Sequence, residues 1–355
     1  MTQTALTEKA LSLLKTLISI QSFSSEEDKT ADAIGNWLRD FDIPFERVHN
    51  NIIAKNKHWQ DDRPTLLLNS HHDTVKPNKA YTKDPFHPHI EDGKLYGLGS
   101  NDAGGALVSL LATFVHFYAD ENLGHNILMV ASMEEENAGP NSLRGLLPKL
   151  PSIAVAIVGE PTLMQLAIAE KGLVVFDGTV KGTPSHAAHP NTDNSIYNTI
   201  SVLEWFKNYR FEKSSEALGD VKMTVTQINA GTQHNVVPAQ VNLVIDVRVN
   251  DAYTNQEMAN LLKAEAPCEL QERGLKLNSS KIDKDHPLVR SGLALGRTTY
   301  GSPTLSDQAA LSCQSLKLGP GDSTRSHSAD EYIYVDEITE GIDLYIQILK
   351  GFLKQ

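Results

Sequence analysis

Cysteine and long apolar runs are scarce in this chain of 355 residues. The two cysteines, Cys268 and Cys313, lie far apart and outside any CxxC spacing, so neither a disulfide framework nor a cysteine-built zinc site is expected. The most apolar segment, residues 106–119, is too short to cross a bilayer, and the amphipathic N-terminus lacks the pattern of a signal peptide. The sequence therefore predicts a soluble, cytoplasmic protein with no membrane partner.

Basic residues are also few: 32 lysines and arginines stand against 44 acidic residues, for a formal net charge of −12. Nucleic-acid surfaces need clusters of lysine and arginine, so no nucleic-acid partner is expected. Several motifs are absent as well. The chain has no Walker GxxxxGK[ST], HExxH or GxSxG, and the third glycine of a dinucleotide GxGxxG would fall on Asp102. Nucleotide binding and serine-hydrolase chemistry are thereby excluded.

Strand-like and helix-like segments alternate over roughly the first 170 residues, which is typical of an α/β sheet covered by helices. From Gly172 onward, apolar and polar residues alternate as in half-exposed antiparallel strands. After residue 282 the α/β pattern returns. The sequence thus predicts an α/β domain (1–171 and 282–355) interrupted by an α+β domain (172–281). Helices are expected at 104–119, 193–207, 254–265 and 335–354.

Acidic and imidazole side chains follow several of the predicted strands. In open α/β sheets the functional site lies outside the carboxyl ends of the strands. Like charges that converge there repel unless a cation lies between them, and mixed histidine and carboxylate donors suit a divalent metal such as zinc. The residues concerned are, in chain order, His71, His72, Asp73, Asp102, the glutamates at 134–136, Glu160 and His327.

Each of these residues also has an ordinary structural interpretation. Asp102 could cap a helix, the three glutamates could complement the dipole at a helix start, and Glu160 could belong to a turn before Pro161. A lone histidine is more often a hydrogen-bonded core or surface residue than a ligand. The joint pattern of all these residues is what favours a metal site.

Seven short motifs are spread over nearly the whole chain: HHD (71–73), GLGSNDAGG (97–105), EEE (134–136), GEPT (159–162), GTPSHAAHP (182–190), NVVPAQ (235–240) and HSADEY (327–332). In these motifs the chain resembles the di-zinc aminoacylase, carboxypeptidase and deacetylase family, which includes acetylornithine deacetylase and succinyl-diaminopimelate desuccinylase. The resemblance implies a three-layer α/β/α catalytic domain with a mixed sheet and an inserted ferredoxin-like lid that also forms a homodimer.

The resemblance also implies two zinc ions per subunit, with cobalt or manganese as substitutes. Asp102 would bridge the ions, and a cis peptide bond would follow it. Asp73, two residues from His71, would orient that imidazole, and Glu135 would be the general base. Because three glutamates are consecutive, Glu134 and Glu135 could instead be the base and the metal ligand. The implied ligands are His71, Asp102 and Glu160 for one ion, and Asp102, Glu136 and His327 for the other.

In the lid, His186 matches the family histidine that crosses the dimer to stabilise the oxyanion. His189 is close by, but the spacing from Gly182 selects His186. Asn235 and Arg248 match residues that bind the substrate carboxylate. A solvent-facing strand arginine is the alternative for Arg248.

The expected activity is removal of an acetyl or succinyl group from a small amino acid, N-acyl-ornithine or N-acyl-citrulline of arginine biosynthesis. Arg325, in DSTRSH, resembles that branch of the family. The alternative enzymes are a succinyl-diaminopimelate desuccinylase and a dipeptidase or carboxypeptidase. A binding protein without catalysis is a further alternative, but the intact set of implied metal ligands argues against it. Two positions depart from the family pattern: Ser70 replaces the usual glycine, and His72 is either a bystander or a hydrogen-bonding residue near the site.

Overall fold

The computed structural model of the chain describes residues 2–354, which form two compact units. The first unit runs to Ile168 and resumes over Lys281–Tyr300 and from Ser306 onward. The second comprises Ala169–Ser280 and Gly301–Leu305. Within the described range, no helix is both long and apolar enough to cross a membrane.

The helices and strands follow one another along the chain with short connections. The α-helices are α1 (Gln3–Ile18), α2 (Asp28–Arg39), α3 (Gly105–Phe117), α4 (Leu143–Leu146), α5 (Ser195–Asn208), α6 (Asn255–Glu265), α7 (Pro287–Ala294) and α8 (Val335–Leu353). The strands are β1 (Glu46–Val48), β2 (Asn51–Lys55), β3 (Thr65–His71), β4 (His89–Glu91), β5 (Lys94–Tyr96), β6 (Asn126–Ser132), β7 (Val155–Val158), β8 (Leu166–Glu170), β9 (Gly172–Lys181), β10 (Ser185–His186), β11 (Lys222–Ala230), β12 (Val236–Val237), β13 (Gln240–Val249), β14 (Glu269–Glu272), β15 (Ser280–Lys281), β16 (Thr299–Ser302), β17 (Gln314–Lys317) and β18 (Tyr332–Tyr334).

A mixed sheet forms the centre of the first unit. Its strands follow the order β1-β2-β6-β3-β7-β17-β8, in which β6, β3, β7 and β17 are mutually parallel and the remaining pairs are antiparallel. β3, β6 and β7 are buried along their whole length, as interior parallel strands are. The four parallel strands therefore end at one edge of the sheet, at His71, Ser132, Val158 and Lys317.

Helices cover both faces of this sheet. On one face, Leu67 and Leu128 pack against Leu143 and Leu146 of α4. Because neighbouring side chains of a strand point to opposite faces, the adjacent leucines of β3 point to the other face. α3 packs on β3 and β6 and is itself in contact with α1 and α8. These layers confirm the α/β/α arrangement.

In the second unit, four strands form an antiparallel sheet in the order β11-β13-β9-β14. Buried residues alternate with more exposed ones along β9 and β13, and α5 and α6 pack on the buried side around Phe176, Phe206 and Met258. The chain order β9-α5-β11-β13-α6-β14 is the βαββαβ order of ferredoxin-like domains. β11 is an edge strand.

The helices expected from the sequence are present as α3, α5, α6 and α8. Their observed ends differ from the expected ones by no more than two residues. Local capping explains two of the starts: Asn194 accepts the N–H of Ile196 before α5, and Thr254 forms a capping box with Glu257 before α6.

Candidate metal centre

Residues that follow the parallel strands of the first unit meet at the edge where those strands end. His71 is the last residue of β3, the glutamates at 134–136 follow β6, and Glu160 follows β7. His327 lies in the loop between β17 and β18. The course of the backbone therefore brings these residues to one edge of the sheet, as expected from the order of the strands.

Asp102 comes to the same edge from an irregular turn over Ser100–Gly104, directly before α3. Its backbone angles are not helical (φ −115°, ψ 99°), and the peptide bond to Ala103 is cis, which confirms the bond implied by the resemblance. A Cβ at Gly104 would lie 2.4 Å from the carbonyl oxygen of Gly99, so this close approach requires glycine.

The two oxygens of the Asp102 carboxylate face two different groups of side chains. Oδ1 lies 3.3 Å from Nε2 of His71, and Oδ2 lies 3.6 Å from Nε2 of His327. The His71 nitrogen is also 3.8 Å from Oε1 of Glu160, and the His327 nitrogen is 3.1 Å from Oε2 of Glu136. Asp102 thus stands between a His71–Glu160 pair and a His327–Glu136 pair.

This donor set fits divalent metal ions. One ligand atom from each of His71, Asp102 and Glu136 can be chosen so that all lie within 4.8 Å of one another. Imidazole nitrogen and carboxylate oxygen are the donors that zinc and similar ions prefer. His71 is buried, whereas the side chain of His327 is 53% exposed, so the candidate centre is open to solvent on the His327 side.

Negative charge is concentrated in this cluster, which suits the binding of a cation. Burial, together with the charge of Asp102, raises the pKa of Glu160 to about 8. Burial also raises the pKa of Glu135 well above its usual range, although His71 opposes the shift. A hydrogen bond with Glu136 raises the pKa of His327 to about 9. A bound cation would stabilise the ionised form of carboxylates that lie this close together.

Asp73 connects the two sides of the site. Its Oδ1 is 3.4 Å from Nδ1 of His71, opposite the nitrogen that faces Asp102, and its backbone oxygen is 3.0 Å from the same Nδ1. Its carboxylate also accepts the backbone N–H groups of Glu135 (3.1 Å) and Glu136 (3.2 Å). Burial would raise the pKa of Asp73, but its contacts with His71 lower it overall. Asp73 therefore contacts both the imidazole of His71 and the backbone of the glutamate loop.

The three consecutive glutamates have different environments. The Glu134 carboxylate accepts hydrogen bonds from Ser25 Oγ (2.9 Å) and from the backbone and side-chain nitrogens of Asn141 (2.8 and 3.2 Å). Glu136 contacts His327, while no hydrogen bond engages the Glu135 carboxylate anywhere in residues 2–354. This pattern favours Glu135 over Glu134 as the base.

The lid residues His186, Asn235 and Arg248 all lie in the second unit. Ser185–His186 pair with Val236–Val237, and the N–H of Ala187 donates to the carbonyl oxygen of Asn235, so His186 and Asn235 are neighbours. Arg248 is on β13, where its guanidinium donates to both oxygens of Asp246 (2.9 and 3.1 Å). The roles proposed for these three residues stay predictions.

The two departures from the family pattern have structural explanations. Ser70 donates a hydrogen bond to the carbonyl oxygen of Gly159 (2.8 Å), which joins β3 to the residue before Glu160. His72 is buried, with Nδ1 2.9 Å from Thr30 Oγ1 and Nε2 2.9 Å from the carbonyl oxygen of Asn50. Burial lowers the pKa of His72 to about 4, so it is a neutral core residue.

Sequence reasoning missed a segment before α2 that contacts the site. Ser24 Oγ donates to Asp73 (2.7 Å), Ser25 Oγ donates to Glu134, and the buried Glu27 carboxylate accepts the backbone N–H of Glu134 (3.2 Å). These residues are about a hundred positions from the glutamate loop. Apart from a polar run in QSFSSEE, nothing in the sequence signals the contact.

Known proteins are similar to this chain over most of its length. The model of a family described as peptidase family M20/M25/M40 matches residues 67–351. The chain is 23% identical to succinyl-diaminopimelate desuccinylase 2 of Ruegeria sp. (strain TM1040), over 95% of this chain and 93% of that protein. It is 24% identical to succinyl-diaminopimelate desuccinylase of Wolbachia pipientis subsp. Culex pipiens (strain wPip), over 96% and 92%.

Solved structures have the same fold. The M20 family metallo-carboxypeptidase Sso-CP2 from Sulfolobus solfataricus superposes with a TM-score of 0.74 at 17% identity, covering 96% of this chain and 98% of that one. The Bacillus subtilis YXEP protein, described as a dinuclear metal binding peptidase from the M20 family, superposes with a TM-score of 0.73 at 14% identity, covering 98% and 99%.

Proposed function

The chain belongs to peptidase family M20/M25/M40 and is a metal-dependent hydrolase of amide bonds, and we propose that it removes the succinyl group from an N-succinylated diamino acid of the diaminopimelate type. The curated relatives that carry this name match the chain almost from end to end. The expected N-acyl-ornithine or N-acyl-citrulline substrate has no such support. We therefore place the desuccinylase alternative first.

The observation that carries the hydrolase mechanism is the division of Asp102 between two ligand pairs. We propose that two zinc ions bind here, one to His71, Asp102 and Glu160 and the other to Asp102, Glu136 and His327. When bound, such ions polarise an amide carbonyl and lower the pKa of a nearby water. The chemistry of the donors supports this assignment.

Within that centre, Glu135 would act as the general base. It would accept a proton from the attacking water and later deliver that proton to the leaving amine, so that one water is consumed for each amide cleaved. Asp73 would hold the base in position, because it accepts the backbone N–H groups of both Glu135 and Glu136. Burial of Glu135, which favours the uncharged acid, suits a group that must both take up and release a proton.

His186 would donate to the oxygen that becomes negatively charged in the transition state, and it would act on the site of a second subunit. The second unit has a surface suited to such a dimer. Tyr197, Ile200 and Ile228 are 71%, 58% and 54% exposed, on α5 and on the edge strand β11. Exposed apolar side chains beside an unpaired strand edge are typical of an interface. We propose a homodimer through this surface.

Asn235 and Arg248 would bind the substrate carboxylate. Arg248 already donates to Asp246, so its guanidinium is held in place and only part of its donor capacity remains. Replacing Arg248 by Lys would keep the charge and lose the planar fork, which should raise KM more than it lowers kcat.

The experiment that tests the substrate is amine release from a panel, with zinc added. The panel contains N-succinyl-diaminopimelate, the N-acetyl and N-succinyl forms of ornithine and citrulline, and unmodified dipeptides. The proposal expects the highest kcat/KM for the succinylated diaminopimelate. A higher value for an ornithine or citrulline derivative would return the assignment to the first expectation, and a higher value for dipeptides would make the protein a peptidase. The Glu135→Gln protein controls for contaminating hydrolases.

A further inference from the structure

Glu331 is a buried carboxylate beside the metal centre that is not one of the ligands. Its side chain is 1% exposed and accepts three backbone N–H groups: those of Gly99 (3.2 Å), Asn101 (2.9 Å) and Asp102 (2.9 Å). All three donors belong to the turn that presents Asp102. One acid therefore determines where the backbone of the bridging residue lies.

Among residues 2–354, Glu331 is the acceptor of these three N–H groups and no other acceptor contacts them. N–H groups at the start of a helical segment lack intrahelical acceptors, and here the irregular backbone before α3 leaves them pointing at the Glu331 carboxylate. A buried N–H without an acceptor is costly, so these three N–H groups depend on the carboxyl oxygens of Glu331. The turn keeps its shape because Glu331 accepts from it.

The segment that carries Glu331 also supplies a ligand, since His327 lies four residues earlier. A second contact joins the same two segments: Asn101 Nδ2 donates to the carbonyl oxygen of Asp322 (3.1 Å), and the N–H of Asp322 donates to Asn101 Oδ1 (3.0 Å). The turn of residues 99–102 and the segment of residues 322–331 thus hold each other at two points. Asp102 belongs to the first and His327 to the second.

We propose that Glu331 and Asn101 are positioning residues that fix Asp102 relative to His327 and so strengthen the binding of both metal ions. This inference rests on the proposed metal centre. A purely structural role would change stability without changing the affinity of the folded protein for metal. Residues that orient metal ligands typically contribute about 10–100-fold to metal affinity.

The neighbouring residue offers a matched control. Asp330 also accepts three hydrogen bonds, from Thr82 N (2.8 Å), Thr82 Oγ1 (2.6 Å) and Lys83 N (2.8 Å), but these donors lie in a segment without a proposed ligand. The test compares wild type, Glu331→Gln and Asp330→Asn. Hydrogen exchange of the metal-free proteins should show faster exchange at residues 99–102 only in Glu331→Gln, and at Thr82 and Lys83 only in Asp330→Asn.

Calorimetric titration with Zn²⁺ and the visible spectrum with Co²⁺ complete the test. Glu331→Gln should bind both ions about 10–100-fold more weakly, with an altered Co²⁺ spectrum, while Asp330→Asn should match wild type. Unchanged affinity and spectrum in Glu331→Gln would overturn the inference and leave the proposed function standing. If wild type binds no divalent ion, the proposed function fails and the inference fails with it. Should Glu331→Gln not fold, Asn101→Ser decides: wild-type affinity there overturns the inference.

Discussion

The glutamate loop offers the sharpest test of the mechanism, because two adjacent residues are expected to respond in opposite ways to the same substitution. Glu135→Gln keeps the size of a half-buried side chain whose carboxylate accepts no hydrogen bond within residues 2–354. The folded structure should therefore be retained. Loss of the general base should lower kcat by about 10²–10⁴-fold, which corresponds to about 3–5 kcal/mol of activation free energy.

Glu134→Gln changes a residue whose carboxylate is hydrogen-bonded but which has no proposed role in proton transfer. Its carboxylate accepts three hydrogen bonds from Ser25 and Asn141, and a glutamine amide has only one oxygen to accept them. At least one donor then faces an NH₂ group in a buried site, which should cost about 1–3 kcal/mol of unfolding free energy. The proton transfer itself is untouched, so kcat of the folded fraction should stay within a few-fold of wild type.

The assay combines steady-state kinetics on the best substrate of the panel, urea unfolding, and metal content by elemental analysis. The mechanism expects a lower kcat with stability and metal content retained for Glu135→Gln, and lower stability with kcat and metal content retained for Glu134→Gln. If Glu134→Gln were inactive yet as stable as wild type, the base would be Glu134. The assignment of the triple glutamate would then have to move by one residue.

Three further predictions follow from the same structure. Asp102→Ala should abolish binding of both metal ions, whereas loss of one ion alone, measured by elemental analysis, would contradict the bridging role. Mixing inactive Glu135→Gln with inactive His186→Ala should restore activity after subunit exchange, since one site of the heterodimer then carries neither defect; verified exchange without activity would rule out action across the dimer. Burial lowers the pKa of His125 and His286, whose rings lie 4.5 and 5.8 Å from that of Phe352. At these two histidines the unfolded chain binds more protons than the folded one below the ordinary histidine pKa of about 6.5, so each contributes a loss of unfolding free energy from about pH 7 to about pH 5. His125→Gln removes one such contribution, so its unfolding free energy relative to wild type should rise as the pH falls through this range; a difference between the two proteins that does not change with pH would refute this coupling.

Much of the first unit could be predicted because its signals are local. The run LLLNSHHD has an uninterrupted apolar stretch, which indicates an interior strand, and its polar end then has to lie at the carboxyl edge of a parallel sheet. The same argument applies to Glu136 after β6 and Glu160 after β7. Alternation of apolar and polar residues likewise predicted β9 and β13 of the second unit.

Other features could not be predicted, because they depend on contacts between distant parts of the chain. Ser25 and Asn141 bind the carboxylate of Glu134 and so distinguish it from the two glutamates that follow it, which no local pattern in the sequence indicates. The acceptor role of Glu331 depends on a turn more than two hundred residues earlier. Hydrophobic periodicity and secondary-structure propensity do not indicate such long-range pairs, because each residue taken alone is an ordinary polar residue.

Arg325 illustrates how a motif can be shared for a reason other than the one it first suggests. From the sequence, DSTRSH favoured an ornithine or citrulline substrate. In the structure the guanidinium of Arg325 donates to both oxygens of Glu337 (2.7 and 3.0 Å) and lies 4.9 and 5.2 Å from the ring centres of Tyr332 and Tyr334.

The Arg325 guanidinium is hydrogen-bonded to both oxygens of Glu337 and lies close to two tyrosine rings. Few of its N–H donors therefore remain for a substrate. The contacts of Arg325 instead hold the loop that contains His327, which is two residues further along the chain. The contacts of Arg325 are therefore explained without a substrate, and the motif carries no weight in choosing between succinylated diaminopimelate and acylated ornithine.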